Sequence, residues 1–429
     1  MVHKSQNPRQ KAVEILSSVL GRNKPLKMLL TDDVLSRFDK PDRGFLLEIV
    51  YGVLRNLYFI DWLLEGFYKN KKKLSVYTIN NLRCAVYQLI FMRVPEYAAV
   101  FEAVNIEKIY GEKTSAVNAI LRNFLRKYKK EGVPQAEHLS IKYSHPEWLI
   151  SRWLKRFPEN EIEAFLKANN EKPPFTIAVK PEERNKVTFY LNSKGFKTNL
   201  TKYSPSGLIV EGQGYEIRKT LMESSFFWIV QDEASQLACF LLQPFNGLTV
   251  LDACASPGGK TLLTAVLMKK GRIICLEKNR VRMKILKENI ERLKKFLPDI
   301  EIETILADAR HCENVLPKNL KFERIIVDAP CSSVGVIRRN PDVRYRVSER
   351  EIERLSKTQR LILEKVSSFL SPNGILVYSV CSTEPEEGEQ VINNFLQKHD
   401  EFCSIKMLRT YPHIHGMDGF YIAKLLKTE

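Results

Sequence analysis

Several features are missing from this 429-residue sequence, and the first two absences concern membranes and export. No run approaches the roughly 18 uninterrupted apolar residues that a membrane span needs. The most apolar stretch, residues 45–64, is interrupted by Glu48, Arg55 and Asp61. No basic start followed by an unbroken apolar run and a small-residue cleavage site marks an export signal. We therefore expect a cytoplasmic protein that does not associate with a membrane.

A metal-binding cysteine pattern is also missing. The eight cysteines are scattered, and none forms a C-x-x-C pair or stands beside paired histidines. Structural zinc sites depend on such spacing. We expect no metal, and we expect the thiols to be reduced, as is usual in a reducing compartment.

Acidic residues are scarce relative to basic ones. The 67 lysines and arginines exceed the 50 aspartates and glutamates, for a formal charge of +17, and the excess lies mainly in the first 220 residues. A field of that sign favours a polyanion, most often nucleic acid. A lysine-rich soluble surface has the same composition, so charge favours a nucleic-acid partner without requiring one.

Hydrophobic periodicity divides the chain into three predicted domains. Residues 8–130 have apolar residues three and four apart, which predicts an all-helical domain over 1–135. A turn-prone segment at 132–134 ends it. Over 140–220 we predict a small α+β module with helix at 146–168 and short strands at 175–179, 187–191 and 207–210.

The third predicted domain, 221–429, has a different pattern. From residue 247 onward, short β-rich apolar runs alternate with helical segments. That alternation predicts an α/β domain with a doubly wound, mainly parallel sheet. Ligands of such sheets bind beyond the carboxyl ends of the strands, so the residues that close each run are the candidates for chemistry.

The first of these strands is followed by a glycine pair in the segment 252–261. Small residues between a strand and a helix let the backbone approach a ligand closely. The segment is not a phosphate-binding P-loop, which needs glycine where Cys254 stands, and it lacks the G-x-G-x-x-G pattern of dinucleotide binders. Both common nucleotide sites are therefore disfavoured.

Acidic residues close the next two strands. Glu277 is placed to accept hydrogen bonds from both hydroxyls of a ribose, and Asp308 offers an acceptor for an adenine amino group. Taken singly, either acid is equally suited to cap a helix. Together with the glycine loop they predict an adenosine pocket without a pyrophosphate cradle, which suits S-adenosylmethionine.

Two cysteines follow two further strands. Cys331 comes after Asp328-Ala-Pro, and Cys381 comes after an apolar run that ends at residue 380. Carbon 5 of a pyrimidine is a poor nucleophile, and a thiolate that attacks carbon 6 activates it. Asp328 is a candidate partner for ring atom N3. Ordinary buried thiols are the alternative, and the residues alone do not choose between the two cysteines.

A basic segment follows Cys331. Its arginines suit phosphates and its tyrosine offers a stacking face, although a solvated helix approach has a similar composition. Its position beside the strand ends predicts a substrate-binding loop. The residues concerned are Arg338, Arg339, Arg344 and Tyr345.

Five ordered segments, at 228–236, 252–261, 328–346, 380–387 and 416–421, resemble the RNA cytosine-5 methyltransferases. The layout is similar to their Sun or RsmB-type bacterial branch, which acts on small-subunit (16S) ribosomal RNA. Segments 50–55, 94–100 and 117–122 resemble the NusB-type helical RNA-binding domain of that branch. The resemblance implies a Rossmann-like, S-adenosylmethionine-dependent methyltransferase domain and an RRM- or ferredoxin-like middle module.

The resemblance also implies roles for individual residues. It makes Cys381 the nucleophile and lets Cys331 help to release the product. We further hypothesise that Lys260 lowers a thiolate pKa or holds Asp328 in place. The residues implied to bind the cofactor are Cys254, Ala255, Ser256, Pro257, Gly258, Gly259, Lys260, Glu277, Asp308 and Asp328.

Other readings of the sequence remain open. A nicotinamide dehydrogenase is disfavoured by the missing dinucleotide pattern. A non-catalytic RNA-binding assembly factor is compatible with the helical domain, and a cytosine-5 methyltransferase acting on tRNA or DNA shares the chemistry. We expect ribosomal RNA as the partner and no obligate protein partner.

Overall fold

The computed structural model describes residues 7–68, 73–111 and 113–428. The chain divides into two compact units, and each is discontinuous in sequence. The N-terminal unit consists of Met1–Glu171 and Ile337–Arg346, and the C-terminal unit consists of Lys172–Val336 and Val347–Glu429. The predicted domain limits at 135, 140 and 220 stay predictions, because contacts divide the chain in two and not in three.

The N-terminal unit is helical throughout its described part. Apolar residues three and four apart give each longer helix one buried face, and side-chain caps set several starts. The Asn7 side chain accepts from the backbone N–H of Arg9, and Ser75 accepts from Thr78. The α-helices of its first segment are α1 (Pro8–Arg22), α2 (Asp32–Ser36), α3 (Lys40–Arg55), α4 (Leu57–Glu65), α5 (Val76–Phe91), α6 (Glu96–Tyr110), α7 (Thr114–Glu131), α8 (Leu139–Tyr143), α9 (Glu147–Leu154) and α10 (Glu159–Asn170).

The C-terminal unit begins with a small antiparallel sheet. Its strands are β1 (Phe175–Val179), β2 (Thr198–Leu200), β3 (Gly207–Val210) and β4 (Trp228–Val230), in the order β2-β3-β1-β4. Helices α11 (Arg184–Ser193) and α12 (Gly214–Met222) lie between them in the chain. The prediction of a strand at 187–191 was wrong. Val187 and Leu191 are buried four residues apart on one face of α11, while Phe189 is exposed, which is helical spacing.

A seven-stranded sheet forms the rest of this unit, with strand order β10-β11-β9-β8-β5-β6-β7. The first five strands along the chain pair in parallel, and the last two add an antiparallel edge. The strands are β5 (Leu248–Asp252), β6 (Gly271–Glu277), β7 (Ile300–Leu306), β8 (Phe322–Asp328), β9 (Leu370–Val380), β10 (Phe402–Arg409) and β11 (Tyr421–Lys427). The predicted Rossmann-like, mainly parallel fold is thus confirmed.

Helices cover both faces of this sheet. Alternate residues of the central strands face opposite sides, so Val250 and Ile273 belong to one apolar core while Leu251 and Ile274 belong to the other. The helices are α13 (Glu233–Leu241), α14 (Gly259–Met268), α15 (Arg280–Leu293), α17 (Glu349–Ser367), α18 (Glu389–Leu396) and the short α19 (Pro412–His415); α16 (Val343–Arg346) belongs to the N-terminal unit. Because helices cover both faces of the sheet, polar side chains that bind a ligand can gather only beyond the carboxyl ends of its parallel strands.

Candidate active site

The loop after β5 brings backbone to the start of α14. Gly258 has a φ of +104°, a backbone conformation that favours glycine, and a Cβ there would also displace Cδ1 of Leu286, at 2.9 Å. Asn289 donates to the Pro257 carbonyl at 2.8 Å, and the Ser256 hydroxyl donates to the Arg282 carbonyl at 2.8 Å. The Ser256–Pro257 peptide is cis. Helix α15 therefore holds this loop in place.

Asp252, the last residue of β5, has a structural contact in the protein interior. It is buried, and its Oδ2 accepts a 2.6 Å hydrogen bond from the Thr261 hydroxyl. Burial raises the pKa of Asp252 to about 6, against the opposing effect of that hydrogen bond. Its contact with Thr261 ties the strand end to the first turn of α14.

Glu277 and Asp308 lie at the ends of the two neighbouring strands. Glu277 is buried, and its carboxylate accepts from the Asn279 backbone N–H at 2.8 Å, with Arg282 Nε at 3.5 Å. Asp308 accepts from the Arg310 backbone and side chain, and these hydrogen bonds lower its pKa to about 2. Asp308 does cap a short helix, as the alternative reading allowed, and its contact with a cofactor stays a prediction.

Lys260 and Asp328 form an ion pair between α14 and the end of β8. Lys260 Nζ lies 2.8 Å from Asp328 Oδ2, and the Ser379 hydroxyl donates to Oδ1 at 3.0 Å. Burial lowers the pKa of Lys260, but Asp328 outweighs it, so the net shift is upward and the ammonium stays charged. The Phe420 ring lies beneath it, with its centroid 5.5 Å from Nζ. The hypothesised contact of Lys260 with Asp328 is therefore present.

The two candidate thiols are neighbours. The sulfur atoms of Cys331 and Cys381 lie 3.3 Å apart, and Cys381 Sγ lies 3.5 Å from the Ser333 hydroxyl. A hydrogen bond from Cys331 lowers the pKa of Cys381 in spite of burial, while the same contact and burial raise the pKa of Cys331. Cys381 is thus the better thiolate and Cys331 the better S–H donor.

The loop of Cys331 also meets the C-terminal segment of the sheet. Gly335 donates to the Cys381 carbonyl at 3.1 Å, and Gly419 donates to the Gly335 carbonyl at 2.8 Å. A Cβ on Gly335 would lie 1.9 Å from the Gly419 oxygen, so only glycine fits. This contact holds segment 416–421 beside the other strand-end motifs. It also places Phe420, a residue that the sequence analysis did not single out, next to Lys260.

The sulfur separation predicts that a mild oxidant will join these two cysteines. Diamide takes one hydrogen from each thiol, and the sulfurs need to move by only about 1.3 Å to reach a disulfide bond length of about 2.05 Å. We expect peptide mapping to find Cys331 linked to Cys381 before any other pair. Cys331→Ala, which removes one partner, is the control, and random pairing that involves the exposed Cys403 would contradict the geometry.

The structure places the basic segment 337–346 differently from the sequence expectation. Arg344 is fully buried in the N-terminal unit, where its guanidinium donates to the carbonyls of Tyr143, Ser144 and Asn169 and to the side chain of Asn170. Burial lowers the pKa of Arg344 to about 10. Because the N–H groups of the Arg344 guanidinium are buried and donate to these protein acceptors, the expectation that Arg344 binds an RNA phosphate is corrected.

Tyr345 is likewise used within the N-terminal unit. Its hydroxyl donates to the Leu54 carbonyl at 2.7 Å, and its ring packs edge-on against Tyr58 at 5.3 Å. The hydroxyl and one side of the ring are therefore used inside this unit, and stacking of Tyr345 on a base stays a prediction. Arg338 is buried and has a partner. Arg339 is only partly buried, and its contact with RNA stays a prediction.

Within residues 7–68, 73–111 and 113–428, His, Cys, Asp and Glu residues form no group of three or more suited to a metal ion. No helix in the same ranges is both long and apolar enough to cross a membrane.

Three family models match the chain in the order of its domains. The NusB family matches residues 6–126, the ferredoxin-like domain of RsmF/B-like methyltransferases matches 145–216, and the model of the 16S rRNA methyltransferase RsmB/F matches 239–426. The last match contains the glycine loop, both acids, the ion pair and both thiols.

Full-length relatives agree with these matches. The probable ribosomal RNA small subunit methyltransferase B of Bacillus subtilis is 33% identical, with 99% of each chain covered. The ribosomal RNA small subunit methyltransferase B of Photorhabdus laumondii is 31% identical over 98% of this chain and 99% of its own. The crystal structure of the protein PH0851 has a TM-score of 0.79 at 26% identity, covering 98% of this chain and 99% of that one.

Proposed function

We propose, from the premise that the chain belongs to the RsmB/F family of 16S rRNA methyltransferases, that it methylates carbon 5 of a cytosine in small-subunit ribosomal RNA through a cysteine adduct. The family uses S-adenosylmethionine as methyl donor. The observation that carries the finer proposal is the pair of sulfurs 3.3 Å apart beside the Lys260–Asp328 ion pair.

The residues at the strand ends fit the cofactor. The loop 254–259 presents its backbone at Gly258, where the φ of +104° favours a residue without a side chain. We assign the ribose hydroxyls to the buried carboxylate of Glu277 and the adenine amino group to Asp308, both at neighbouring strand ends. Bound there, S-adenosylmethionine supplies an electrophilic methyl group. The full proposed set is Cys254, Ala255, Ser256, Pro257, Gly258, Gly259, Lys260, Glu277, Asp308 and Asp328.

The chemistry of the chain's own residues starts at Cys381. Its thiolate forms a bond to carbon 6 of the cytosine, and the ring electrons move toward N3, where the Asp328–Lys260 pair supplies a proton or hydrogen bond. Carbon 5 thereby becomes an enamine carbon, nucleophilic enough to be methylated. The downward shift of the Cys381 pKa and the charged Lys260 favour this first step.

Release reverses the covalent step. N3 returns its proton to the Asp328–Lys260 pair and the carbon 5 proton departs to water. The electrons of that carbon–hydrogen bond re-form the double bond to carbon 6, and the bond to the Cys381 sulfur breaks. The Cys331 S–H, 3.3 Å from that sulfur, stabilises the departing thiolate by a hydrogen bond. In this scheme Cys331 serves product release, and its loss leaves the adduct in place.

The substrate enters as an exposed base. Carbon 6 is out of reach for attack while a base is stacked in a duplex, so the target is unpaired or flipped out. Ribosomal RNA, the substrate named for the relatives, suits the excess positive charge of the chain.

The test is incubation of the full chain with small-subunit rRNA, or the small-subunit particle, and methyl-labelled S-adenosylmethionine. We expect 5-methylcytosine in digested RNA. Label at another base or atom overturns the cytosine-5 assignment, and label only in tRNA or DNA overturns the substrate. No transfer to any nucleic acid supports a non-catalytic RNA-binding factor instead.

Replacing Lys260 by methionine tests the ion pair. Lys260→Met keeps much of the side-chain volume but removes the charge beside Asp328, so we expect the methylation rate to fall by about 10²- to 10³-fold. Lys269→Met, at the exposed end of the same helix, is the matched control and should keep full rate. An unchanged rate in Lys260→Met removes the proposed role.

A further inference from the structure

A buried carboxylate joins the loops that carry the two thiols. Glu387 is fully buried after β9, and its Oε1 accepts the Ser332 backbone N–H at 2.8 Å. Its Oε2 accepts a short hydrogen bond from the Ser332 hydroxyl. Ser332 directly follows Cys331. The hydrogen bonds of Glu387 therefore join the loop after β9 to the loop after β8, one residue away from the Cys331 sulfur.

The other flank of Cys331 is held from the same cluster. The amide of Gln359, on α17, donates to the Pro330 carbonyl at 2.9 Å and to Glu387 Oε1 at 3.1 Å. The Tyr378 hydroxyl donates to the Glu387 carbonyl at 2.6 Å. Cys331 therefore stands between two residues whose backbone is fixed by Glu387 and Gln359.

The groups that donate hydrogen bonds to the Glu387 carboxylate are all uncharged. Burying its negative charge among them therefore costs free energy. Burial raises the pKa of Glu387, while the hydrogen bonds from Ser332, Ser382 and Gln359 oppose that shift. A carboxylate accepts only, which suits a site where several N–H and O–H donors converge. A glutamine of the same shape keeps one acceptor oxygen but loses the negative charge, and its NH₂ group meets the Ser332 hydroxyl as a donor instead of an acceptor. The charge-assisted hydrogen bonds to Ser332 are therefore weakened without loss of side-chain volume.

We propose that Glu387 is a positioning residue that sets the distance between the Cys331 and Cys381 sulfurs. Through Ser332 it keeps the Cys331 S–H within hydrogen-bonding reach of Cys381, and so acts on Cys381 only through Cys331. Its consequence for product release rests on the function proposed above, but the sulfur coupling itself does not.

The test measures the pH dependence of Cys381 alkylation by iodoacetamide in the full chain, read by peptide mass spectrometry. We expect Cys331→Ala and Glu387→Gln each to raise the midpoint by about one pH unit, because each removes a hydrogen bond to the thiolate. The other groups facing Cys381, which are Asp328, Lys260 and the Ser333 hydroxyl, are unchanged in these variants.

The double variant separates positioning from general destabilisation. If Glu387 acts through Cys331, Cys331→Ala with Glu387→Gln has the midpoint of Cys331→Ala alone. Val391→Ala, a buried apolar truncation in the next helix, lowers stability and should leave the midpoint at the wild-type value. An additive double variant, or a wild-type midpoint in Glu387→Gln, overturns the proposal.

Two further arms complete the experiment. Gln359→Met removes the second tether and should shift the midpoint in the same direction, which covers the case in which Glu387→Gln does not fold. With RNA and S-adenosylmethionine, Glu387→Gln should accumulate covalent adduct as Cys331→Ala does. If wild type methylates no RNA while the alkylation coupling is present, the proposed function fails and the positioning role stands.

Discussion

Cys381→Ala is expected to lose methylation by at least about 10⁴-fold and to form no covalent adduct with RNA, because no other group replaces the thiolate at carbon 6. Cys331→Ala is expected to form the adduct and to release it slowly, so that denaturant-resistant protein–RNA complex accumulates. Gel analysis with methyl-labelled S-adenosylmethionine scores adduct and 5-methylcytosine in the same samples.

The pair of variants is its own control, since the two sulfurs lie 3.3 Å apart and each change removes one of them. Exposed Cys403→Ala should behave as wild type. The opposite pattern, with adduct in Cys381→Ala and none in Cys331→Ala, makes Cys331 the nucleophile. That outcome would contradict the lower pKa assigned to Cys381.

Arg344→Met is expected to destabilise the N-terminal unit by about 3 kcal/mol, because it leaves several buried carbonyls without a donor. Hydrogen exchange by mass spectrometry can follow amides in α8 to α10, where we expect protection to fall on the order of 100-fold. Amides of β5 and β6, in the other unit, provide an internal reference.

Arg346→Met is the matched control in the same segment. Arg346 pairs with Asp342 at 3.1 Å and is partly exposed, and such pairs contribute about 0–1 kcal/mol. If Arg344→Met keeps wild-type protection and loses only affinity for RNA, Arg344 contacts an RNA phosphate and does not stabilise the N-terminal unit.

Sequence was informative where local order decides position. Alternating strands and helices place Glu277 and Asp328 at the ends of parallel strands, and both are found there. The two thiols were expected near each other on the same grounds. Their distance was not predictable, because it depends on the register of β8 and β9 and on tethers such as Glu387.

Two other predictions from the sequence were wrong because contacts distant in the chain decide the structure there. Residues 187–191 are rich in β-branched and aromatic side chains, and tertiary packing of Val187 and Leu191 made them helical. Arg344 looked like a surface group because arginine usually is one. Its acceptors, Ser144 and Asn170, lie 200 and 174 residues earlier in the chain, and no local pattern reports such a partnership.

The discontinuity of the N-terminal unit limits how this protein can be taken apart. Residues 337–346 belong with the helices of 1–171, although they are encoded between strands of the other unit. A fragment that ends at residue 171 therefore contains the carbonyl acceptors of Arg344 but lacks Arg344 itself. A fragment that begins after residue 171 contains Arg344 but lacks those acceptors. Exchange of domains between relatives has to treat these ten residues as part of the N-terminal cassette, so the helical half is inherited in two pieces.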